Sequence, residues 1–433
     1  MENINNISNN QVASRPNRGL VISTLIVSTM VLLRDLGVIP IPPVLCIFVV
    51  AVISYLLPYK SLRSFSFFYI VAGSGIHGVA YIPLLAALFF KSKNKNIYQF
   101  IFTILILVFE LIHFASYSFA TDFYKFAVFA LVLLFFFFLL FDNQDGDENV
   151  RDDIKYYIIG TAVALFVVVL HSIMMFGIEK TLLGYQRLGG GFEEDEIEGK
   201  MATIFNSNYM AYYSVVAFTL ALFVKGVFKK AWFKVVMMLV VVFAGIMTSS
   251  RSWLLVTGII LLIYLLLSRV KNKLLFIITA LIVIVAAQQI PTISSAFYDR
   301  FEQRIEGQDI REAGMRRKLF MQYHEFLAQH PERLLLGTGA LYYRKICAIS
   351  YSTHNGSQQL VVCYGLLGVL ILIWIGIVFH RAFVKNIKHK LWDYVPFFAC
   401  VLFVQTIQLI NPVSLLLPFV AGLLPLKLKQ EDN

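Results

Sequence analysis

Cysteine is scarce in this chain, with only Cys46, Cys347, Cys363 and Cys400 in 433 residues. No Cys-x-x-Cys pair occurs and no cysteine stands at ligand spacing from a histidine, which speaks against a zinc or iron–sulfur site. Three of the four lie in or beside apolar segments and read as inert packing residues. Alternation of period two is also missing, which argues against an outer-membrane barrel. Internal repeats and low-complexity linkers are absent as well, so the chain reads as one integrated domain.

What is abundant is apolar sequence: 58% of residues are hydrophobic, only 15% are charged, and mean hydropathy is +0.73. Runs long enough to cross a bilayer recur, at about 19–33, 41–58, 65–90, 98–117, 123–141, 156–176, 208–224, 232–248, 252–268, 274–290, 360–380, 392–410 and 413–427. The expected fold is therefore all-α, a polytopic transmembrane helical bundle of roughly 12–14 spans. The first run, Gly19 to Leu33, follows Arg15 and Arg18 and precedes Arg34 without a small-residue cleavage site, so it reads as a retained anchor.

Under that reading the net charge of +11 reports topology and is not a nucleic-acid footprint. Lys225, Lys229, Lys230 and Lys234 mark one cytoplasmic loop, Arg269, Lys271 and Lys273 a second, and Arg381, Lys385, Lys388 and Lys390 a third. Counting spans between them puts Glu193 to Glu198 and the whole of Pro291 to Gln359 outside. Towards the N-terminus the count fails by one, because Lys60/Arg63 and Lys91/Lys93/Lys95 both look cytoplasmic and only the run 65–90 separates them. Gly73-Ser74-Gly75 and Gly78 interrupt that run, which points to a broken or re-entrant pair of short helices. The organisation expected is a transmembrane bundle over 1–290, a large extracytoplasmic loop over 291–359 and C-terminal transmembrane helices over 360–433.

The loop carries helical periodicity. Phe297, Phe301 and Ile305 recur at helical spacing, as do Met315, Leu319, Tyr323, Phe326 and Leu327, which predicts two amphipathic helices resting on the membrane domain. His330-Pro331 ends the second, and Leu336-Gly337-Thr338-Gly339 reads as a tight turn leading to Ser352-Thr353-His354-Asn355. A proton-handling histidine where a polar loop re-enters an apolar segment suits chemistry on a lipid-linked substrate.

Several of these sites together resemble the bacterial O-antigen ligase and O-antigen or capsule polymerase superfamily. The ordered set is Arg316, Phe320, His330-Pro331, Gly337-Thr338-Gly339, His354-Asn355, Gln359, Gly365 and Gly368. Thr248-Ser249-Ser250-Arg251-Ser252 resembles the family's Ser-Arg-Ser turn, and Phe205-Asn206-Ser207-Asn208 its Phe-x-Asn-Pro-Asn segment, with serine in place of proline. The similarity spans roughly residues 185–380. It departs from the family at Lys200, five residues before Phe205, where an arginine is usual. Arg187 in Arg187-Leu188-Gly189-Gly190-Gly191-Phe192 offers the pattern upstream, and either residue can fill the role. Arg187 is preferred, because a guanidinium binds phosphate with two prongs.

The resemblance implies a glycosyltransferase of the bacterial cytoplasmic (inner) membrane, acting on its extracytoplasmic face. It would move glycan from undecaprenyl diphosphate to an acceptor glycan, as a repeat-unit polymerase for O-antigen, capsule or exopolysaccharide. His354 would take the acceptor proton. Arg251, Arg316 and Arg187 would bind the diphosphate, with Asn355 and Gln359 in support. No cofactor and no metal are expected, and the mechanism would invert the anomeric carbon. Membrane lipid is a further partner, nucleic acid is not, and a flippase and a chain-length regulator are implied companions. Two alternatives stand beside this reading: an O-antigen ligase delivering chain to a lipid A-core or protein acceptor, and a lipid-linked oligosaccharide flippase or other transporter. A flippase needs no long external loop ending in His-Asn. A peptidoglycan-type polymerase would be expected to rely on an external aspartate instead of this histidine.

Other suggestive residues read as structural. Glu110 and His113, three apart inside a span, are expected to satisfy each other. His77 and His171 read as core or interfacial, Arg317, Lys318 and Glu193 to Glu198 as solvated charge. Asp145-Gly146-Asp147 mimics a nucleotide-sugar metal motif but lies in a short loop without a nucleotide-binding domain.

Overall fold

The computed structural model describes residues 17–73, 78–93, 95–115, 123–142, 146–178, 181, 206–248, 250–267, 309–385, 387–407 and 416–429. It is 82% helical, with no strand among the described residues, so the all-α class is observed. Among the described residues, three helices are long and apolar enough to cross a membrane, Phe123–Phe141, Asp147–Phe176 and Gly356–Val384. Shorter apolar helices of 10–17 residues accompany them.

In chain order the helices are α1 (Arg18–Asp35), α2 (Pro43–Leu56), α3 (Tyr59–Ala72), α4 (Tyr81–Lys91), α5 (Tyr98–Ala115), α6 (Phe123–Phe141), α7 (Asp147–Phe176) and α8 (Ser207–Phe223). After these come α9 (Ala231–Met247), α10 (Arg251–Leu267), α11 (Asp309–Gln329), α12 (Pro331–Leu336), α13 (Tyr343–Ile346), α14 (Gly356–Phe379), α15 (Val395–Val404) and α16 (Leu416–Leu423). These bounds match the apolar runs closely, because burial in lipid or in protein leaves the helix as the only way to satisfy the main chain. The expected span 274–290 and the helix around Phe297 to Ile305 lie outside the described residues.

Helix α3 occupies the centre, with every residue from Ser61 to Ala72 buried. It packs on α7, α1 and α4. The outer helices instead expose large apolar side chains, such as Val44, Phe48 and Tyr55 on α2 and Leu239 and Phe243 on α9. An apolar interior with an apolar rim is the distribution expected of helices solvated by lipid.

The expected break in the run 65–90 falls after Ala72, where Gly73 closes α3, and α4 begins at Tyr81. At the far end of α4, the Lys91 ammonium donates to the carbonyls of Ser54 (2.9 Å), Tyr55 (2.6 Å) and Leu57 (2.6 Å), which cap the last turn of α2. Lys60 and Lys91 therefore lie at one end of the bundle, and α3 and α4 form a descending and returning pair. The interrupted run therefore starts and finishes at the same end of the bundle.

Contacts at both ends fix the remaining directions. At the first end the Asn17 side chain reaches Ser61, Lys427 donates to Leu140 and Asp142 carbonyls, and the Lys225 ammonium lies 5.5 Å from the Trp392 ring. At the second, His171 meets the Asp35 carbonyl at 2.9 Å, and Gln405 after α15 donates to Ser357 in the first turn of α14 at 2.8 Å. Lys60, Lys91, Lys225 and Lys427 thus gather at the first end, here called the basic end, whereas Arg34 ends α1 at the second; the loop of Arg269, Lys271 and Lys273 lies outside the described residues.

One residue used as a loop marker sits differently from its expected place. Arg63 is fully buried, with its guanidinium 2.5 Å from Asp142 and 2.9 Å from Asp153. It stays at the basic end, but as the centre of an ion network that joins α3, the end of α6 and the start of α7.

Candidate functional site

The chemistry-bearing segment is assembled at the end of the bundle opposite the lysine-rich loops. Helix α11 forms where the apolar spacing predicts, burying Leu319, Tyr323 and Leu327 while Arg316, Arg317 and Lys318 remain exposed. His330 stops it, and Pro331 opens α12 from the first helical position, where its missing N–H costs nothing.

Two hydrogen bonds bind α11 to the segment bearing the histidine. The Tyr323 hydroxyl donates to the Tyr351 carbonyl at 2.7 Å, and the Gln358 amide donates to the Phe320 carbonyl at 2.8 Å. Arg316 is one helical turn from Phe320, so the structure brings its helix and the His354 segment together. Asn355 caps α14: its side-chain oxygen accepts from the Gln358 N–H at 2.9 Å, and the Thr353 hydroxyl donates to its carbonyl at 3.1 Å. Gln359 is fully buried in the first turn of α14 and faces the Tyr343 hydroxyl.

His354 is half-buried and its main chain is left-handed, with φ of 50°. That conformation costs a non-glycine residue on the order of 1–3 kcal/mol and survives only where neighbours enforce it. Here the cap at Asn355, the buried Thr353 and the Tyr323 bond to Tyr351 enforce it from both sides.

Arg251 is the exposed first residue of α10, next to Ser250, whose hydroxyl accepts from the Trp253 N–H at 3.4 Å. Tyr264, toward the other end of α10, packs against Phe223 beside the basic end, so Arg251 stands at the end shared with His354. α10 packs on α15, and Gln405, just past α15, donates to Ser357 at the start of α14. Asn206 caps α8 by accepting from the Asn208 N–H at 3.0 Å, and Ser207 fills the first helical position. Arg187, Lys200, Phe205, Ser249 and the run Glu193 to Glu198 lie outside the described residues, as do His77 and Asp145.

The turn after α12 goes deeper than a surface loop. Helix α14 breaks at Gly365 (φ 62°, ψ −168°), which frees the carbonyls of Val362 and Cys363. The Thr338 N–H and hydroxyl donate to Val362 at 3.0 and 2.9 Å, and the Gly339 N–H donates to Cys363 at 2.8 Å. Side chains at Gly337 and Gly365 would run into each other's main-chain surroundings, so both glycines are needed for this close approach. Cys363 is seven residues inside α14, about 10 Å from its start at 1.5 Å per residue. Residues 337–341 therefore form a re-entrant turn, held in protein where lipid could not satisfy its main chain.

Glu110 meets this turn, and not His113 as its spacing suggests. Its carboxylate accepts from the N–H groups of Ala340 (2.6 Å) and Leu341 (3.4 Å), and from the Tyr364 hydroxyl. His113 sits 3.4 Å from both the Leu336 carbonyl and the Arg333 guanidinium. The pairing fails because Glu110 finds its partners in the turn and at Tyr364, and His113 finds its own in α12. The general rule that a carboxylate inside an apolar span has a specific job is the signal that marks Glu110.

Comparison with protein-family models, with curated proteins and with solved structures returns no match.

Proposed function

We propose that the chain is a membrane glycosyltransferase that moves a glycan from undecaprenyl diphosphate onto an acceptor glycan, as a polysaccharide repeat-unit polymerase. The observation that carries this reading is His354, held in a strained left-handed turn at the mouth of a long apolar helix, beside the helix of Arg316 and on the end away from the basic loops.

In this mechanism His354 takes the proton from an acceptor hydroxyl. The oxygen forms its bond to the anomeric carbon as the bond to the diphosphate oxygen breaks on the opposite face, so configuration inverts. Charge growing on the leaving diphosphate is met by Arg316 and Arg251, the latter at a helix N-terminus whose dipole adds to the guanidinium. Arg187 supplies a third cation, Asn355 and Gln359 keep the histidine segment in place, and no metal takes part. The direct test is reconstitution of the purified chain with a polyprenyl-diphosphate-linked repeat unit. Polymer should grow equally with and without chelator, and loss of polymer in chelator that magnesium restores would overturn the metal-free scheme. Transfer confined to a lipid or protein acceptor would identify a ligase, and movement of the donor without any new glycosidic bond would identify a transporter.

Topology gives a separate test. With the basic end in the cytoplasm, Ser352→Cys should react with an impermeant maleimide in cells whose outer barrier has been removed, and Lys388→Cys only after the membrane is opened. The four natural cysteines are buried, so background labelling is low. Labelling of Ser352→Cys from inside alone would rule out an extracytoplasmic site.

A further inference from the structure

Glu110 is a buried carboxylate in an apolar helix that the glycosyl-transfer scheme leaves without a role. Its surroundings supply one. Both carboxylate oxygens are engaged, Oε1 by the Ala340 N–H and Oε2 by the Leu341 N–H, and 230 residues of sequence separate Glu110 from Ala340. On the other side of the same turn, Thr338 and Gly339 are held by the carbonyls freed at the break in α14. The turn is thus pinned between α5 and α14 by hydrogen bonds on both flanks.

Beyond the turn the chain leads to the histidine. Helix α13 starts at Tyr343, whose ring lies 6.0 Å from that of Tyr323 and whose hydroxyl faces Gln359 and the backbone of Thr353, the residue before His354. Displacement of Ala340 and Leu341 would shift Tyr343, and with it the support under Thr353 and Gln359.

We propose that Glu110 is the positioning residue that pins the re-entrant turn of residues 337–341 against α5, and through α13 holds the segment that presents His354. The catalytic half of this inference rests on the function proposed above, whereas the pinning of the turn stands on geometry alone. A carboxylate is required because two main-chain donors and a hydroxyl converge on it. A glutamine offers one acceptor oxygen and would set its own NH₂ against a donor.

The natural Cys347, just past α13, reports on the turn without any engineered label. It is buried, and burial pushes its thiol up to about 12, so it should react slowly. Cys400, buried in α15 away from the turn, serves as the control for general unfolding. Full-length protein in detergent is exposed to maleimide, and uptake at each cysteine is followed by peptide mass spectrometry. In Glu110→Gln, uptake at Cys347 should rise on the order of tenfold while Cys400 stays at its wild-type rate. Gly339→Ala approaches the same contact from the opposite side, since its added carbon would lie 3.0 Å from the His113 Cβ and 3.1 Å from the Glu110 Oε2, and should expose Cys347 likewise.

An unchanged Cys347 rate in both variants would overturn the pin. A parallel rise at Cys400 would overturn it too, by making Glu110 a general stability residue. The second arm measures transfer, where Glu110→Gln should lower kcat several-fold and leave KM for the donor near its wild-type value. Exposure of Cys347 with full transfer would overturn the link to His354. Should the wild-type protein show no transfer at all, the function proposed above would fall, and the thiol rates would still decide the pin.

Discussion

Replacing His354 with alanine is expected, under the mechanism proposed above, to reduce glycan transfer by about 10²–10⁴-fold, the range that a general base contributes. The side chain is half-buried and does not belong to the apolar core, so its loss opens no large cavity and the protein should reach the membrane in normal amount. Alanine is nonetheless an imperfect probe. With φ at 50°, removal of a side chain there also changes how readily the main chain holds its left-handed turn. Asparagine tolerates that region well and cannot act as a base near neutral pH, so His354→Asn separates chemistry from backbone strain. Both variants should be inactive at equal abundance. Near-normal polymer from His354→Asn would mean that the histidine serves as a conformational element and that the proton goes elsewhere.

How much of this was visible before the fold was known depends on whether the information was local. The apolar runs gave nearly every described helix, because a run that must satisfy its own main chain in lipid has one solution. The amphipathic spacing of Leu319, Tyr323 and Leu327 and the stop at His330-Pro331 were likewise written in neighbouring residues. So was the break around Gly73. Which ends came together was not, and it took the three carbonyls around Lys91 to show that α4 returns to the level of Lys60.

The polar contacts inside the bundle were the least legible. Glu110 had His113 as its visible polar neighbour at helical spacing, yet its main-chain partners lie 230 and 231 residues further along. The Gly-x-Gly of residues 337–339 was readable as a turn but not as one that dips between two helices, since that depends on the broken helix at Gly365. For the candidate site, the order of Arg316, His354, Asn355 and Gln359 was available from sequence. Their support by Tyr323, Gln358 and Tyr343 was not, as these are ordinary residue types whose role comes from where the fold puts them.

Arg63 illustrates the same limit with a larger energy behind it, and its replacement should be the most destabilising single change in the basic half. Counted as a loop charge, it would be worth almost nothing to stability. In the fold its side chain is 0% exposed between Asp142 and Asp153, and Ser64 donates to the second carboxylate at 2.8 Å. Arg63→Met leaves two buried carboxylates without their shared cation, a loss of about 3–5 kcal/mol. Arg63→Lys should recover only part of it, because a compact ammonium does not span both partners as the guanidinium fork does. The decisive variant is the triple change Arg63→Met, Asp142→Asn and Asp153→Asn, which removes the charges together and should regain most of the lost stability, since an intact buried network contributes little net energy relative to a neutral one. Thermal unfolding in detergent, monitored by tryptophan fluorescence, measures the wild type and the three variants on one scale. A fall of less than about 1 kcal/mol in Arg63→Met would place the arginine among the solvated charges. A triple variant no more stable than Arg63→Met would show that the loss comes from packing around α3 and not from the orphaned carboxylates.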